Sequence, residues 1–411
     1  MHTNFIESVK NTVGSLFIKP KIDSSKISKH ALEIILSLQK NNYEAYIVGG
    51  AIRDILINQN PKDFDIATSA TPEQIRRLFK KSRIIGRRFK LVHVFDGRDI
   101  IEVSTFRAKP QERELMANGV EKDNAYGTLQ EDAERRDFTS NSIYYNPANK
   151  KLIDFYGGIK DIKNKQLAVI GMPEKRFQED PVRILRAIRF AAKLDLLINS
   201  EITNIMHNNI NLLEKIPYSR LFDEVMKLFL TGHALKSVVL FNKFKLSEKF
   251  FPIFQSANPS TQAFLKQGLS DTDTRIIESK SVNPGYLLAV FLWKDVYEAW
   301  IKKKKTSVNN IVALNEAIEL ILSKQFKIFP IQKRFTVTMS EIWRLQPRFA
   351  NLNPKRIYRL LGHPRFRAAY DFLLLRNRLG EVENNLANWW TKFIEADEKT
   401  KSILIKKTKN K

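Results

Sequence analysis

Two periodicities divide the chain. From about Ala31 to Tyr145, short apolar runs such as AYIVGG, KLVHVF and DIIEVSTF alternate with stretches of helical spacing. Short apolar or alternating runs read as strands, and their interleaving with helical patterns predicts a mixed α/β domain. From about Asp180 the helical period takes over, as in RILRAIRFAAKL and RLFDEVMKLFL, and strand signals become sparse. The second half is therefore expected to be all α, so the fold class is α+β: a small mixed sheet with helices, then helices alone. The stretches DFYGGIKDIKNK, FPIFQSANPSTQ and IKKKKTSVNN interrupt the apolar pattern and are candidate breaks. The final IKKTKNK reads as a disordered basic arm, and no repeat of solenoid period is present.

At 411 residues the chain has room for two or more domains, which typically run to about 100–200 residues. Its hydrophobic content is 43%, without a run of about 18 apolar residues, which predicts a soluble protein with no stable membrane insertion. The opening MHTNFIESVKNTVGSLF lacks the apolar centre and cleavage site of a signal peptide, making a cytoplasmic location the default. The absence of cysteine excludes disulfides, cysteine zinc fingers, iron–sulfur clusters and thiol nucleophiles. Lys and Arg outnumber Asp and Glu by 69 to 44, a formal charge of +25. That balance favours a polyanionic partner, nucleic acid first; the plainer alternative is a basic surface kept for solubility or for an anionic membrane face.

The candidate chemistry begins in AYIVGGAIRDIL, where an apolar strand meets Gly49 and Gly50 before a helical pattern. Glycine lets backbone N–H groups approach a phosphate, although a lone pair of glycines also makes an ordinary turn. Arg53 is placed to bind a triphosphate or an acidic neighbour, and Asp54 fits nucleotide binding or a helix start. In DFDIA, strand alternation sets Asp63 and Asp65 on one face and turns Phe64 and Ile66 to the core. Paired carboxylates with hard oxygen ligands suit Mg²⁺, as in two-metal phosphoryl transfer. Two solvated aspartates on an edge strand are the plainer alternative. Glu102, on another predicted strand, is the candidate third carboxylate. No HExxH or Walker-type GxxxxGK[ST] motif occurs, which disfavours zinc and P-loop chemistry.

Gly49-Gly50-x-x-Arg53-Asp54 followed by Asp63-x-Asp65 resembles the signature of the nucleotidyltransferase superfamily that contains DNA polymerase β. More narrowly it resembles the bacterial branch shared by poly(A) polymerases and CCA-adding tRNA nucleotidyltransferases. RRDFTSN (Arg135, Arg136, Asp137, Asn141) is similar to that branch's ribose- and nucleotide-binding motif, with Ser140 in place of an apolar residue. DFYGGIKD resembles its hinge, and EDPVRILRAIRF (Glu179, Asp180, Arg183) its base-reading helix. The residues themselves agree: four-residue spacing sets Asp137 and Asn141 on one helix face, and Asp180 before Pro181 reads as a helix cap with Arg183 one turn inside. A capped, solvated helix with structural ion pairs is the competing account. The resemblance is dense from Tyr43 to Leu230 and thinner beyond.

GRRF followed by LVHV, within Arg83 to Phe95, is similar to the poly(A) polymerases of the branch, and Arg87, Arg88 and Lys90 read as contacts to an RNA primer. HPRFRAAYDFLLLR resembles their C-terminal region. The resemblance implies a template-independent RNA adenylyltransferase with ATP and RNA 3′ ends as substrates. It further implies Mg²⁺ on Asp63 and Asp65 with Glu102 catalytic, a monomer, and RNA-decay machinery as a partner. It suggests an arm (1–24), a catalytic head (25–160), a helical neck (161–235), an RNA-binding body and leg (236–400) and a basic tail (401–411). CCA addition to tRNA is the first rival. A non-catalytic RNA-binding protein would not need the intact DFD, and an enzyme of small-molecule transfer would not need the basic helical half.

Overall fold

Among the residues that the computed structural model describes (17–18, 22–86, 90–97, 99–108, 125–306 and 309–409), eight strands form one sheet. They are β1 (Phe17–Ile18), β2 (Ala45–Val48), β3 (Asp65–Thr68), β4 (Ser82–Ile85), β5 (Leu91–Asp96), β6 (Asp99–Thr105), β7 (Ile143–Asn146) and β8 (Lys151–Asp154). Their order is β1-β8-β7-β2-β3-β6-β5-β4. Neighbours are antiparallel except β3 and β6, which run parallel. After β3 the chain passes through an intervening helix, Pro72–Leu78, and then through β4 and β5 before β6 pairs beside β3.

The helices of this part are α1 (Lys29–Lys40), α2 (Gly50–Leu56), α3 (Pro72–Leu78), α4 (Leu129–Arg135), α5 (Gly158–Lys163), α6 (Pro173–Glu179), α7 (Val182–Leu194) and α8 (Ser200–Asn209). Ile47, Ile66, Val92 and Val103 are fully buried in one cluster with Ile34, Ile35 and Leu38 of α1 and Ile75 of α3. Removing each such side chain from water contributes about 1.5–3 kcal/mol, and the same alternation leaves Asp65 and Glu102 exposed. Phe64 and Ile66 are buried, as the pattern of DFDIA requires. Side chains start the helices: Ser28 caps α1, while Thr71 with Gln74 and Thr128 with Glu131 form capping boxes at α3 and α4.

The DFYGGIKD stretch is an anchored corner between β8 and α5. The buried Asp154 carboxylate accepts the N–H groups of Tyr156, Gly158 and Ile159 at 3.3, 2.9 and 2.9 Å. Thr139 Oγ1 donates to Asp161 at 2.7 Å, tying the corner to the turn Thr139–Asn141. The chain divides into two compact units elsewhere, between Glu214 and Lys215.

The second unit is built from helices, and no strand is present after β8 among the described residues. Phe229, Phe241, Phe251, Phe254 and Phe291 pack edge to face in its centre. A second cluster gathers Phe349, Ile357, Trp390 and Phe393. The C-terminal segment, expected to be a disordered arm, is helical over Glu398–Lys409. Leu404 and Ile405 explain the difference, because they are partly buried against the Trp390 cluster and give a lysine-rich stretch one apolar anchor. No helix among the described residues is long and apolar enough to cross a membrane.

Candidate active site

β2 ends at Gly49, whose φ of 77° lies in the left-handed region that favours glycine. A Cβ there would stand 3.5 Å from Arg136 Nη1 and 4.0 Å from Asp65 Oδ2, so the bare backbone brings these groups together. Arg53, one turn into α2, is buried and held by three hydrogen bonds to two partners. Its Nε and Nη2 donate to Asp54 Oδ1 at 2.9 and 2.6 Å, and Nη1 donates to Asn141 Oδ1 at 2.5 Å. Lys193 of α7 reaches the other Asp54 oxygen at 3.3 Å. Asp54 therefore stands behind the site as the counter-ion of Arg53 and Lys193.

The parallel pairing of β3 with β6 puts Asp65 directly beside Glu102, and β5 adds His93 beside Glu102. His93 Nε2 lies 3.3 Å from Glu102 Oε1. Although Asp65 reaches solvent, the protein packed around its carboxyl desolvates it, and this first, then the charges of Glu102 and Asp63, push it up to about 6, with Arg136 opposing them. Asp63 precedes the strand, which begins at Asp65, so the two aspartates are not strand neighbours as alternation implied; both are exposed. Among the described residues no group of three or more His, Asp or Glu side chains converges closely enough to hold a metal ion. The oxygen donors and the crowding of negative charge on Asp65 nevertheless fit a hard divalent cation.

Beside Asp65 opens a cleft of about 530 Å³. Gly49, Gly50, Arg53, Arg135, Arg136, Asp137, Asn141, Asp180 and Arg183 all line it, so every residue expected to bind nucleotide is there except Asp54. Asp63 and Glu102 are not part of its lining. Arg136 donates to Asp132 and to the Tyr144 hydroxyl, and also to the Asn141 carbonyl. Asp137 accepts from Arg186 at 2.7 Å and from its neighbour's N–H, Phe138, at 2.8 Å. Although burial pushes the Asp137 carboxyl up, Arg186 and these hydrogen bonds hold it below the usual carboxylate range.

Asp137 and Asn141 do not share an α-helical face. Phe138 is extended and fully buried, 5.6 Å from the Phe190 ring, and only Thr139–Asn141 turns as a short 3₁₀ helix. The two side chains still meet, with Asn141 Nδ2 donating to Asp137 Oδ1 at 3.3 Å. Asp180 accepts the Val182 N–H at 3.3 Å, so it supports the start of α7, which begins one residue later than expected. Arg183 Nη1 donates to the Arg176 carbonyl and to Glu179 at 2.7 and 3.0 Å.

Residues not anticipated as ligands complete the cleft: Arg107, and from α7 Arg186, Arg189, Phe190 and Lys193. Arg183, Arg186, Phe190 and Lys193 follow helical spacing, a signal already visible in RILRAIRFAAKL. Lys90 is half-buried and lies 3.3 Å from Glu73, whereas Arg87 and Arg88 lie outside the described residues. A cavity of about 670 Å³ in the second unit, lined by Asp295, Glu298 and Lys324 among others, contains none of the expected residues.

Three family models match in order: "Poly A polymerase head domain" over residues 45–168, "Probable RNA and SrmB- binding site of polymerase A" over 176–258, and "Polymerase A arginine-rich C-terminus" over 306–411. Poly(A) polymerase I of Escherichia coli O157:H7 is 40% identical over 391 residues, covering 90% of this chain and 83% of that protein. The chain belongs to the bacterial poly(A) polymerase family. Poly(A) polymerase I of Haemophilus influenzae is 38% identical, with 93% and 88% covered. Within the wider branch, the CCA-adding enzyme of Streptococcus thermophilus is 35% identical over 71% of this chain and 70% of its own. Solved structures share the fold. A tRNA-processing enzyme in an apo form has a TM-score of 0.62 at 21% identity, covering 95% of this chain and 99% of that one. The Thermotoga maritima CCA-adding enzyme complexed with tRNA has a TM-score of 0.57 at 19% identity, covering 92% and 85%. Membership of the poly(A) polymerase family makes the chain a nucleotidyltransferase.

Proposed function

We propose that the arginine-lined cleft holds ATP and that the chain joins its adenylate to RNA 3′ ends without a template. One observation carries this reading: the Asp65–Glu102 pair stands at the edge of a cleft lined by Arg53, Arg107, Arg135, Arg136, Arg183, Arg186, Arg189 and Lys193. Such a wall neutralises a triphosphate and stabilises the departing pyrophosphate, while the carboxylates stand where the attacking group must lose its proton. Relatives support the two substrates, since solved CCA-adding enzymes are described in complex with ATP and with tRNA.

In the reaction, the RNA 3′ oxygen forms a bond to the α-phosphorus, the bond to the β-phosphate oxygen breaks, and pyrophosphate leaves. Asp63 and Asp65 would hold Mg²⁺, which would supply charge neutralisation at the phosphates and a more acidic 3′-hydroxyl. Glu102, exposed on the sheet face and oriented by His93, accepts or directs the hydroxyl proton. Arg53, fixed by Asp54 and Asn141, presents its cation without loss of side-chain freedom at each turnover. Asp180 and Arg183 offer an acceptor and a donor to the adenine edge. The basic segment with Arg87, Arg88 and Lys90 grips the primer backbone. In this reading the enzyme works as a cytoplasmic monomer alongside the RNA-decay machinery.

The test offers ATP or CTP singly with an unstructured RNA and with a tRNA lacking its 3′ end, and reads product lengths. Long adenylate tails on the generic RNA with poor CTP use are expected. Asp65→Asn should abolish transfer and leave RNA affinity within about twofold, since primer binding rests on the basic surface. Addition of CCA to the tRNA followed by a stop would give the function to the CCA-adding reading, and wild-type turnover in Asp65→Asn would remove the metal assignment.

A further inference from the structure

Many cations line the cleft, but they are not alike in what they can give away. Among the described residues of the lining, seven positive side chains are arginines and one, Lys193, is a lysine. An arginine guanidinium keeps its proton in a protein, whereas a lysine ammonium releases one when its surroundings lower its pKa. The carboxylates of the lining offer no substitute. Asp137 is held ionised by Arg186 and its hydrogen bonds, Asp180 supports the start of α7, and Asp65 stands beside Glu102 on the side where a proton must be taken up.

Lys193 is built into the wall. Its side chain is 28% exposed and Nζ lies 3.3 Å from Asp54 Oδ2, while the other Asp54 oxygen receives Arg53. Asp54 is nearly buried and absent from the lining, so it holds both cations from behind. Burial depresses the Lys193 pKa, with Asp54 opposing and the charges of Arg53 and Arg189 adding to the fall. A lysine so placed is a stronger acid than one in water. Its position along α7 suits the far end of a nucleotide, because it lies almost three turns beyond Arg183, about 15 Å along the axis. A base edge at Arg183 therefore sends the phosphates toward Lys193, where Arg53 and Gly50 stand together.

We infer that Lys193 is a catalytic residue, the general acid that protonates pyrophosphate as it leaves. This deepens the reading of the cleft as the ATP site and rests on it. The RNA 3′ oxygen bonds to the α-phosphorus as its proton passes to Glu102, and the bond from the α-phosphorus to the bridging oxygen breaks. That oxygen keeps the electron pair and takes a proton from Lys193 Nζ. The neutral amine then regains a proton from water, and the Asp54 carboxylate favours the restored ammonium.

The experiment measures KM for ATP and the single-turnover rate of adenylate addition to one unstructured RNA at saturating nucleotide, for the wild type, Lys193→Arg and Lys193→Met. Thermal melting of each variant accompanies it. Every enzyme is also given two ATP analogues, bridged between the β- and γ-phosphates by methylene or by difluoromethylene, whose leaving groups are more and less basic than pyrophosphate. Lys193→Arg keeps the cation but has no proton to give, so the rate should fall about 100-fold while KM for ATP stays within about threefold. It also keeps the test open if Lys193→Met folds poorly. Lys193→Met should lose as much rate and raise KM about tenfold, since a charged contact to phosphate is gone as well. The ratio of the difluoromethylene rate to the methylene rate separates chemistry from structure. An oxygen that receives a proton as it departs depends little on its own basicity, so the ratio should be about tenfold larger in Lys193→Arg than in the wild type. Loosening of the fold would slow both analogues alike. A Lys193→Arg rate within about threefold of wild type, or a slow rate with the wild-type ratio, would overturn this inference and leave ATP as the substrate. Failure of the wild type to add adenylate from ATP would instead overturn the reading of the cleft, and the inference with it.

Discussion

Gly158 sits where the anchored corner packs against the turn that carries Asn141, and replacing it with alanine should disable the enzyme from outside the site. A Cβ on Gly158 would lie 2.1 Å from the Thr139 carbonyl oxygen and 2.6 Å from its carbonyl carbon, against a floor of 3.0 Å for such contacts. The turn must retreat by about 1 Å, because close-packed interiors offer no slack. It cannot retreat freely: Thr139 N–H donates to the Ala168 carbonyl at 3.1 Å, Thr139 Oγ1 is tied to Asp161, and Asn141 holds Arg53 and Asp137. Overpacking of this kind costs about 1–3 kcal/mol, which lowers Tm by roughly 2–12 °C for a unit of this size. The larger effect is kinetic, since a 1 Å shift of positioning groups can lower the rate about 100-fold. Steady-state adenylate transfer and calorimetry on Gly158→Ala measure both quantities. Gly157→Ala is the control: its φ of 75° makes alanine unfavourable by about 1–2 kcal/mol, yet nothing lies within 4 Å of the added carbon. Transfer within about twofold of wild type is expected there. Wild-type kcat/KM in Gly158→Ala, or an equal loss in Gly157→Ala, would refute the steric argument.

In the second unit, Glu381 accepts from Lys294 at 2.9 Å, Arg376 at 3.1 Å and the Trp293 indole at 2.8 Å, all nearly buried. Glu381→Gln leaves two buried cations uncompensated and should cost about 3–5 kcal/mol, roughly 6–20 °C in the melting of that unit; a calorimetric shift below about 2 °C would contradict it. Asp137 titrates below the ordinary range in the folded chain, so its contribution to stability is complete above the unfolded value near 4 and is lost as pH falls through the lower folded value. Asp137→Asn should therefore flatten the acid limb of the stability profile, measured by denaturant melts between about pH 2 and 6, and an unchanged limb would remove Asp137 as its source.

Alternation alone told which sides of DFDIA and DIIEVSTF face the core, because burial of Phe64, Ile66, Ile101 and Val103 leaves the carboxylates no other face. It could not tell that Asp65 and Glu102 would be neighbours. That depends on strand order, which the intervening β4 and β5 determine through long-range pairing. Spacing misled at RRDFTSN, where burial of Phe138 against Phe190 overrides a four-residue helical repeat. Spacing was informative but unused in α7, whose arginines line the cleft on the face opposite Ile184, Leu185 and Ile188. Arg107 and His93 carry no local signal at all. They enter the site because a neighbouring strand or loop brings them there.

The one parallel pairing among the described strands also orders events in time. β6 can dock beside β3 only after the intervening helix and two strands have been laid down, and the Arg53–Asn141 and Asp54–Lys193 contacts bridge 88 and 139 positions. Contacts of such separation form late, since the entropy of closing the loop must be overcome before they add stability. Helical circular dichroism should return early in refolding and adenylate transfer only afterwards. A ribosome-bound chain should not transfer adenylate until Lys193 has left the exit tunnel and can meet Asp54.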